Sequence, residues 1–152
     1  MRKPFWKEFA LLLFAGSLYA SGANAQIGPD GVTFTVSGPF VAGEATLPAG
    51  SYKIEQDPID WGVLRVTDIA GSHSVMVVTE LVESDPPRKK TEVIFSKYGS
   101  TLVLKQLWLA GNDEGYVVVA CHPEKKAAKT GKPVKQSVAA ETKQASSANS
   151  KP

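Results

Sequence analysis

The sequence predicts an all-β fold: a small antiparallel barrel or sandwich of about eight short strands, followed by a disordered C-terminal tail. Three observations carry this. Apolar residues recur at every second position in segment after segment of the middle of the chain, the period of a half-buried strand. Turns built from Gly, Pro and Asp separate those segments at short intervals, and no stretch between them shows a helical apolar stripe. Past residue 121 bulky apolar residues all but vanish, leaving mostly Lys, Ala, Ser, Gln, Thr and Pro. Such a composition buries too little surface to offset the entropy of ordering.

The first 25 residues read as an export signal. Arg2, Lys3 and Lys7 give a positive start, residues 9–20 an apolar run, and Ala23-Asn24-Ala25 a small-x-small cleavage site. The run is shorter than the ~20 residues of a spanning helix, and no transmembrane segment follows it. The absence of a following cysteine argues against a lipid anchor. The predicted organisation is a signal peptide at 1–25, a β-domain at 26–121 and a disordered tail at 122–152, in the periplasm or outside the cell.

Within the β-domain, Val32-Thr33-Phe34-Thr35-Val36 alternates cleanly. Residues 38–54 follow as strand, tight turn and strand, with Leu47-Pro48-Ala49-Gly50 at the turn and Tyr52 and Ile54 on one face beyond it. Asp57-Pro58-Ile59-Asp60-Trp61-Gly62 is a loop. Residues 63–67 form the next strand, and Asp68-Ile69-Ala70-Gly71 a type I turn with Gly71 left-handed. Val75-Met76-Val77-Val78 is apolar on both faces, which predicts a central strand covered on each side. Residues 83–90, with two prolines and three cations, make an exposed loop. Residues 91–98 and 101–109 pair around Gly99-Ser100, with Leu102, Leu104 and Trp108 expected on one face and Val103, Leu107 and Leu109 on the other. Residues 111–115 turn, and 116–121 close the body.

Several of these stretches together resemble a family of small exported bacterial β-proteins. They are Pro39-Phe40, Thr46-Leu47-Pro48-Ala49-Gly50-Ser51-Tyr52, His73-Ser74-Val75-Met76, Lys97-Tyr98-Gly99 and Trp108-Leu109-Ala110-Gly111 with Gly115-Tyr116. That family has no assigned activity, so the resemblance implies an exported β-domain and supplies no catalytic residue. The chain departs from the pattern at 118–123, where relatives turn polar sooner; Cys121 lies in that part.

Charge divides the chain sharply. Residues 26–121 carry 7 basic and 12 acidic side chains, net −5, whereas 122–152 carry 7 and 2, net +5. The basic tail either folds back on its own acidic body or associates with an anionic envelope polymer or lipid surface. Without interleaved aromatics it does not suggest nucleic acid as a partner.

Reactive constellations are absent from the sequence. Cys121 is the sole cysteine, so only an intermolecular disulfide is open to it. Cys121-His122 lacks the second pair a metal centre needs, and His73 and His122 are the only histidines. There is no Gly-x-Ser-x-Gly elbow and no phosphate loop, and the acidic pairs Asp57/Asp60, Glu80/Glu83 and Asp113/Glu114 lie in or beside turns. No cofactor is implied. Trp61 is the candidate binding residue: in a Pro/Asp/Gly loop it either stacks on a sugar or small molecule at a barrel mouth, with Tyr52 or Tyr98, or plugs one end of the barrel. Trp108 is expected in the core. The sequence thus favours an exported, non-enzymatic β-domain, an envelope-associated structural or binding module. The alternative is a small-molecule or glycan binder with Trp61 at the rim.

Overall fold

The computed structural model describes residues 26–28 and 30–142. The strands are β1 (Val32–Val36), β2 (Phe40–Ala42), β3 (Ala45–Leu47), β4 (Gly50–Gln56), β5 (Val63–Asp68), β6 (Ser74–Glu83), β7 (Glu92–Tyr98), β8 (Thr101–Trp108), β9 (Glu114–Val118) and β10 (Val134–Thr142). A short helix, α1 (His122–Ala127), and one 3-10 turn precede β10.

Eight strands close a barrel in the cyclic order β1-β4-β5-β6-β9-β8-β7-β10, every pair antiparallel. Closure settles the choice between barrel and sandwich, and it leaves no sheet edge along the ring. The β2–β3 hairpin lies outside that cycle. β2 runs parallel to β8 at Phe40↔Leu102 and Val41↔Val103, while β9 takes the same edge of β8 further along, at residues 106–108.

The alternation predicted for the first strands is realised in the core. Phe34, Phe40, Tyr52 and Phe95 meet inside the barrel with ring centroids 5.0–6.1 Å apart. Val66, Leu64, Val77, Leu104 and Tyr116 fill the space around them. The Leu-Pro-Ala-Gly-Ser-Tyr element has a local purpose: the Tyr52 hydroxyl donates to the Pro48 carbonyl at 2.6 Å, pinning the turn to the strand it feeds. Gly71, at φ +77°, closes its turn by donating its backbone N–H to the Asp68 carbonyl.

Three expectations are corrected. Residues 122–142 do not form a disordered tail: α1 and β10 occupy them, and β10 is the eighth stave of the barrel. Composition misses it because β10 is held mainly by main-chain pairing along both edges, with only Val138 and Ala140 packed half-buried against the core. The remaining residues of the expected tail, 143–152, and the segment 1–25 expected to be a signal peptide lie outside the described residues.

The face assignment of β8 is the second correction. Ile94 pairs with Gln106 and Phe95 with Leu104, so Lys105 is an extra residue, a β-bulge that inverts the parity of the positions after it. Leu107 and Leu109 therefore join Leu102 and Leu104 in the interior, and Trp108 is buried on the outside of the wall. There its ring lies under the Arg88 guanidinium, 4.3 Å from the ring centroid, and its indole N–H donates to Gln106.

The third concerns β6. Val77 is buried, but Met76 and Val78 on the outer face are exposed, so the strand is covered on one side only. A barrel wall has a single interior, and α1 packs instead with Val41, Tyr98 and Val103, outside β2, β7 and β8.

Strand direction fixes two ends. β4, β6, β8 and β10 finish, and β1, β5, β7 and β9 begin, at what we call the upper end. The turns at 69–73 and 99–100 and the start of β10 lie at the lower end.

Candidate functional site

Two surfaces carry functional potential, one at each end. The upper one is the β4–β5 loop, residues 57–62. Asp57 Oδ1 accepts the amides of Ile59 (2.9 Å) and Asp60 (3.1 Å), and Asp60 Oδ1 accepts that of Gly62 (2.9 Å). Main-chain bonds from Asp57 N to Val63 O and from Val63 N to Asp60 O close it, and Gln56 Nε2 donates to the Trp61 carbonyl. The Asp57 carboxyl is held below its ordinary range, chiefly by those two amides and then by Arg65, whose guanidinium lies 3.4 Å away. The product of this bonding is a fixed loop presenting two apolar side chains: Ile59 is 92% exposed and Trp61 62%.

Trp61 is therefore no plug. That end is filled by Ile27 and Tyr116, both members of the buried core. Nor do the three aromatics singled out in the sequence converge. Tyr52 is 1% exposed inside the barrel, and Tyr98 is 7% exposed beneath α1. Of the three, Trp61 alone faces solvent. Ile59 went unnoticed in the sequence. An apolar residue between two loop aspartates was the available signal.

The lower surface is built by α1 and the run into β10. Glu124 is buried, accepting from the Tyr98 hydroxyl (3.2 Å) and pairing with the Lys105 ammonium (3.0 Å), which also donates to the Val118 carbonyl. Burial first, and the Glu124 charge second, push the Tyr98 phenol above its usual range. This latch inverts the coarse charge map: an acid of the basic segment meets a base of the acidic body. Lys125, Lys126, Lys129, Lys132 and Lys135 all remain exposed, and among the described residues none joins an ion pair. Lys97, also exposed, stands across the ladder from Val134. The segment thus docks without spending its lysines on its own body.

The remaining candidates are dispersed. His73 Nδ1 lies 3.0 Å from Asp68, whose carboxyl it holds low; both are at the lower β5–β6 turn. His122 is exposed at the start of α1, its amide donating to Glu44. Cys121 is half-exposed beside it, at the end of an open groove of about 400 Å³ between the β2–β3 turn, β6 and residues 118–121. Among the described residues no three His, Cys, Asp or Glu side chains gather as metal donors, and no helix is long and apolar enough to cross a membrane.

No family model, curated protein or solved structure matches the chain.

Proposed function

We propose that the protein is an exported, non-enzymatic β-barrel module that attaches to an anionic surface of the cell envelope through its lysine-rich face. One observation carries this reading: five lysines between 125 and 135, with no acid among them, are displayed on an ordered helix, turn and strand and left free of the body's carboxylates. A fixed array of like charge is costly to assemble unless counter-charge is supplied from outside. Each lysine held near an anionic surface contributes up to about 1 kcal/mol, an attraction that fades within a Debye length. The export signal, which the sequence supports, puts the source of that counter-charge in the envelope. The non-catalytic character rests on the sequence, where no nucleophile–base set or nucleotide fingerprint occurs.

The test is co-sedimentation of the full mature protein with an envelope fraction, and retention on immobilised dextran sulfate as a soluble polyanion, across a salt series. Wild type is expected to bind at low salt and elute steeply as salt rises. The Lys125→Gln/Lys126→Gln/Lys129→Gln variant is expected to elute much earlier. Equal, salt-insensitive behaviour of both proteins would reject the reading.

A second reading, glycan or small-molecule stacking at the barrel rim, retains Trp61 alone. It loses Tyr52 and Tyr98, which are buried elsewhere.

A further inference from the structure

We infer that the lower half of β10 is a strand-addition site, taking an extended peptide whose residues alternate between acidic and apolar. It shares only Lys135 with the lysine reading above, and its recognition is chiefly by main-chain hydrogen bonds.

The first ground is the pairing on either side of β7, which lies between β8 and β10. At the upper end each of those neighbours has a further partner: β9 at residues 106–108 of β8, and β1 at residues 140–142 of β10. Lower down, β2 completes β8 at Leu102 and Val103. Among the described residues no strand completes β10 there, and residues 134–139 pair with β7 alone. Ala140 donates its N–H to the Thr91 carbonyl, on the β7 side. Strand alternation therefore turns the N–H and C=O of Lys135 and Ser137 the other way, where both residues are exposed. β2, three residues long, shows the scale of strand that the fold accepts in such a position.

The second ground is the side chains along that stretch. Val138 and Ala140 pack on the core, so Gln136 and Val134 continue the inward row, and Val134 is 66% exposed. An added strand sets its own inward positions beside them, where apolar side chains gain by burial. Lys135 and Ser137 lie on the outward row. Lys135 joins no ion pair among the described residues, so the positions across from it favour acidic side chains. The same lysine disfavours a second copy, because pairing two such stretches edge to edge brings like charges together. A polyanion would meet the lysine but has no main-chain groups to pair. An open groove of about 520 Å³ follows the joint, lined by Thr33, Thr35, Ser51, Ala139 and Glu141. Glu141 bounds it toward the upper end, so the partner's acidic positions belong at the lower, lysine end.

The experiment is fluorescence anisotropy of the full mature protein with a labelled heptapeptide of alternating glutamate and valine. Two derivatives carry N-methyl groups, one on the glutamate amides and one on the valine amides. Both keep the charge, and they block opposite edges of the peptide strand. The unmodified peptide is expected to bind saturably. One derivative is expected to bind about tenfold more weakly, the equivalent of one or two lost main-chain bonds, and the other to match the unmodified peptide. Ser137→Pro removes an N–H that faces away from β7 and is expected to weaken binding by a similar factor while leaving retention on dextran sulfate unchanged. Ser137→Ala, which drops only the hydroxyl bond to Glu92, is expected to bind as wild type does. The Lys125→Gln/Lys126→Gln/Lys129→Gln variant is expected to keep the peptide and lose its retention, which separates this inference from the lysine reading. Equal binding of the two derivatives to wild type overturns the inference, as does the absence of saturable binding by the unmodified peptide. Self-association that Ser137→Pro abolishes, with no peptide bound, also overturns it and gives the position to a second copy.

Discussion

Gly115 lies directly against the ring of Trp108, its cross-strand partner: a β-carbon at Gly115 would stand 2.5 Å from the Trp108 Cε3 atom. The glycine is there for space, since its backbone is not left-handed. The indole covers the bare main chain of β9, as aromatic side chains do for glycines within sheets, while Arg88 covers the ring.

Gly115→Ala is expected to destabilise the fold by about 1–3 kcal/mol, the usual cost of overpacking a filled site. Urea denaturation would show it as a lower midpoint at unchanged slope. Trp108→Ala in the same background should remove the additional penalty of the clash. If Gly115→Ala melts with wild type, the contact is not a constraint.

Tyr52→Phe tests the turn that precedes β4. The hydroxyl bond to the Pro48 carbonyl is lost while the ring packing against Phe34 and Phe40 is kept. A loss of about 1–2 kcal/mol is expected, because a partly buried carbonyl is left short of a donor. Tyr52→Ala, which also empties the aromatic cluster, should cost about 3–5 kcal/mol. A Phe variant as stable as wild type would mean that solvent satisfies Pro48.

Glu124 is the sole charged residue buried within α1. Replacing it with Ala leaves the Lys105 ammonium and the Tyr98 hydroxyl without their carboxylate. Lys105 is partly exposed, so the expected loss is about 1–3 kcal/mol, below that of a fully buried pair. Amides of β10 should exchange faster with solvent, since α1 is the fixed post from which that strand departs. Unaltered exchange in β10 would uncouple the latch from closure of the barrel.

Asp57 and Asp68 both have folded-state carboxyls held below their ordinary range, by amides and Arg65 in one case and by His73 and loop amides in the other. The unfolded chain therefore binds protons more readily than the folded one through the acid range. The stability these groups contribute is present above pH of about 4, the ordinary carboxylate value, and fades as pH falls through the lowered ones. A melting-temperature profile of Asp57→Asn should be flatter than wild type below that point and parallel to it at neutral pH. An Asp57→Asn profile that falls as steeply as wild type in acid would remove Asp57 from the account.

The alternation of β1 and β4, the turn at Gly71 and the all-β class were legible because each depends on neighbours in sequence. Three features were not, for a common reason. Lys105 is a bulge only relative to β7, so nothing in Leu104-Lys105-Gln106 announces that Trp108 will face outward. β10 has few apolar side chains, and its stabilisation comes from two edges some forty and one hundred residues away, at Val93↔Val138 and Val32↔Thr142. Tyr98 could be read as half-buried, but its partner Glu124 lies beyond a compositional break that suggested no order at all. The lysines were visible at once. That they are left unpaired is a fact of the fold.

The pairing of Thr33 with Glu141, 108 positions apart, has a consequence for a polypeptide that emerges start first. Every earlier stave can form a sheet, yet the cylinder stays split along one seam until residues 134–142 have appeared. Widely separated contacts of this kind form slowly. Until β10 slots between them, β1 and β7 each keep an open lip, the kind of edge on which a second copy can pair.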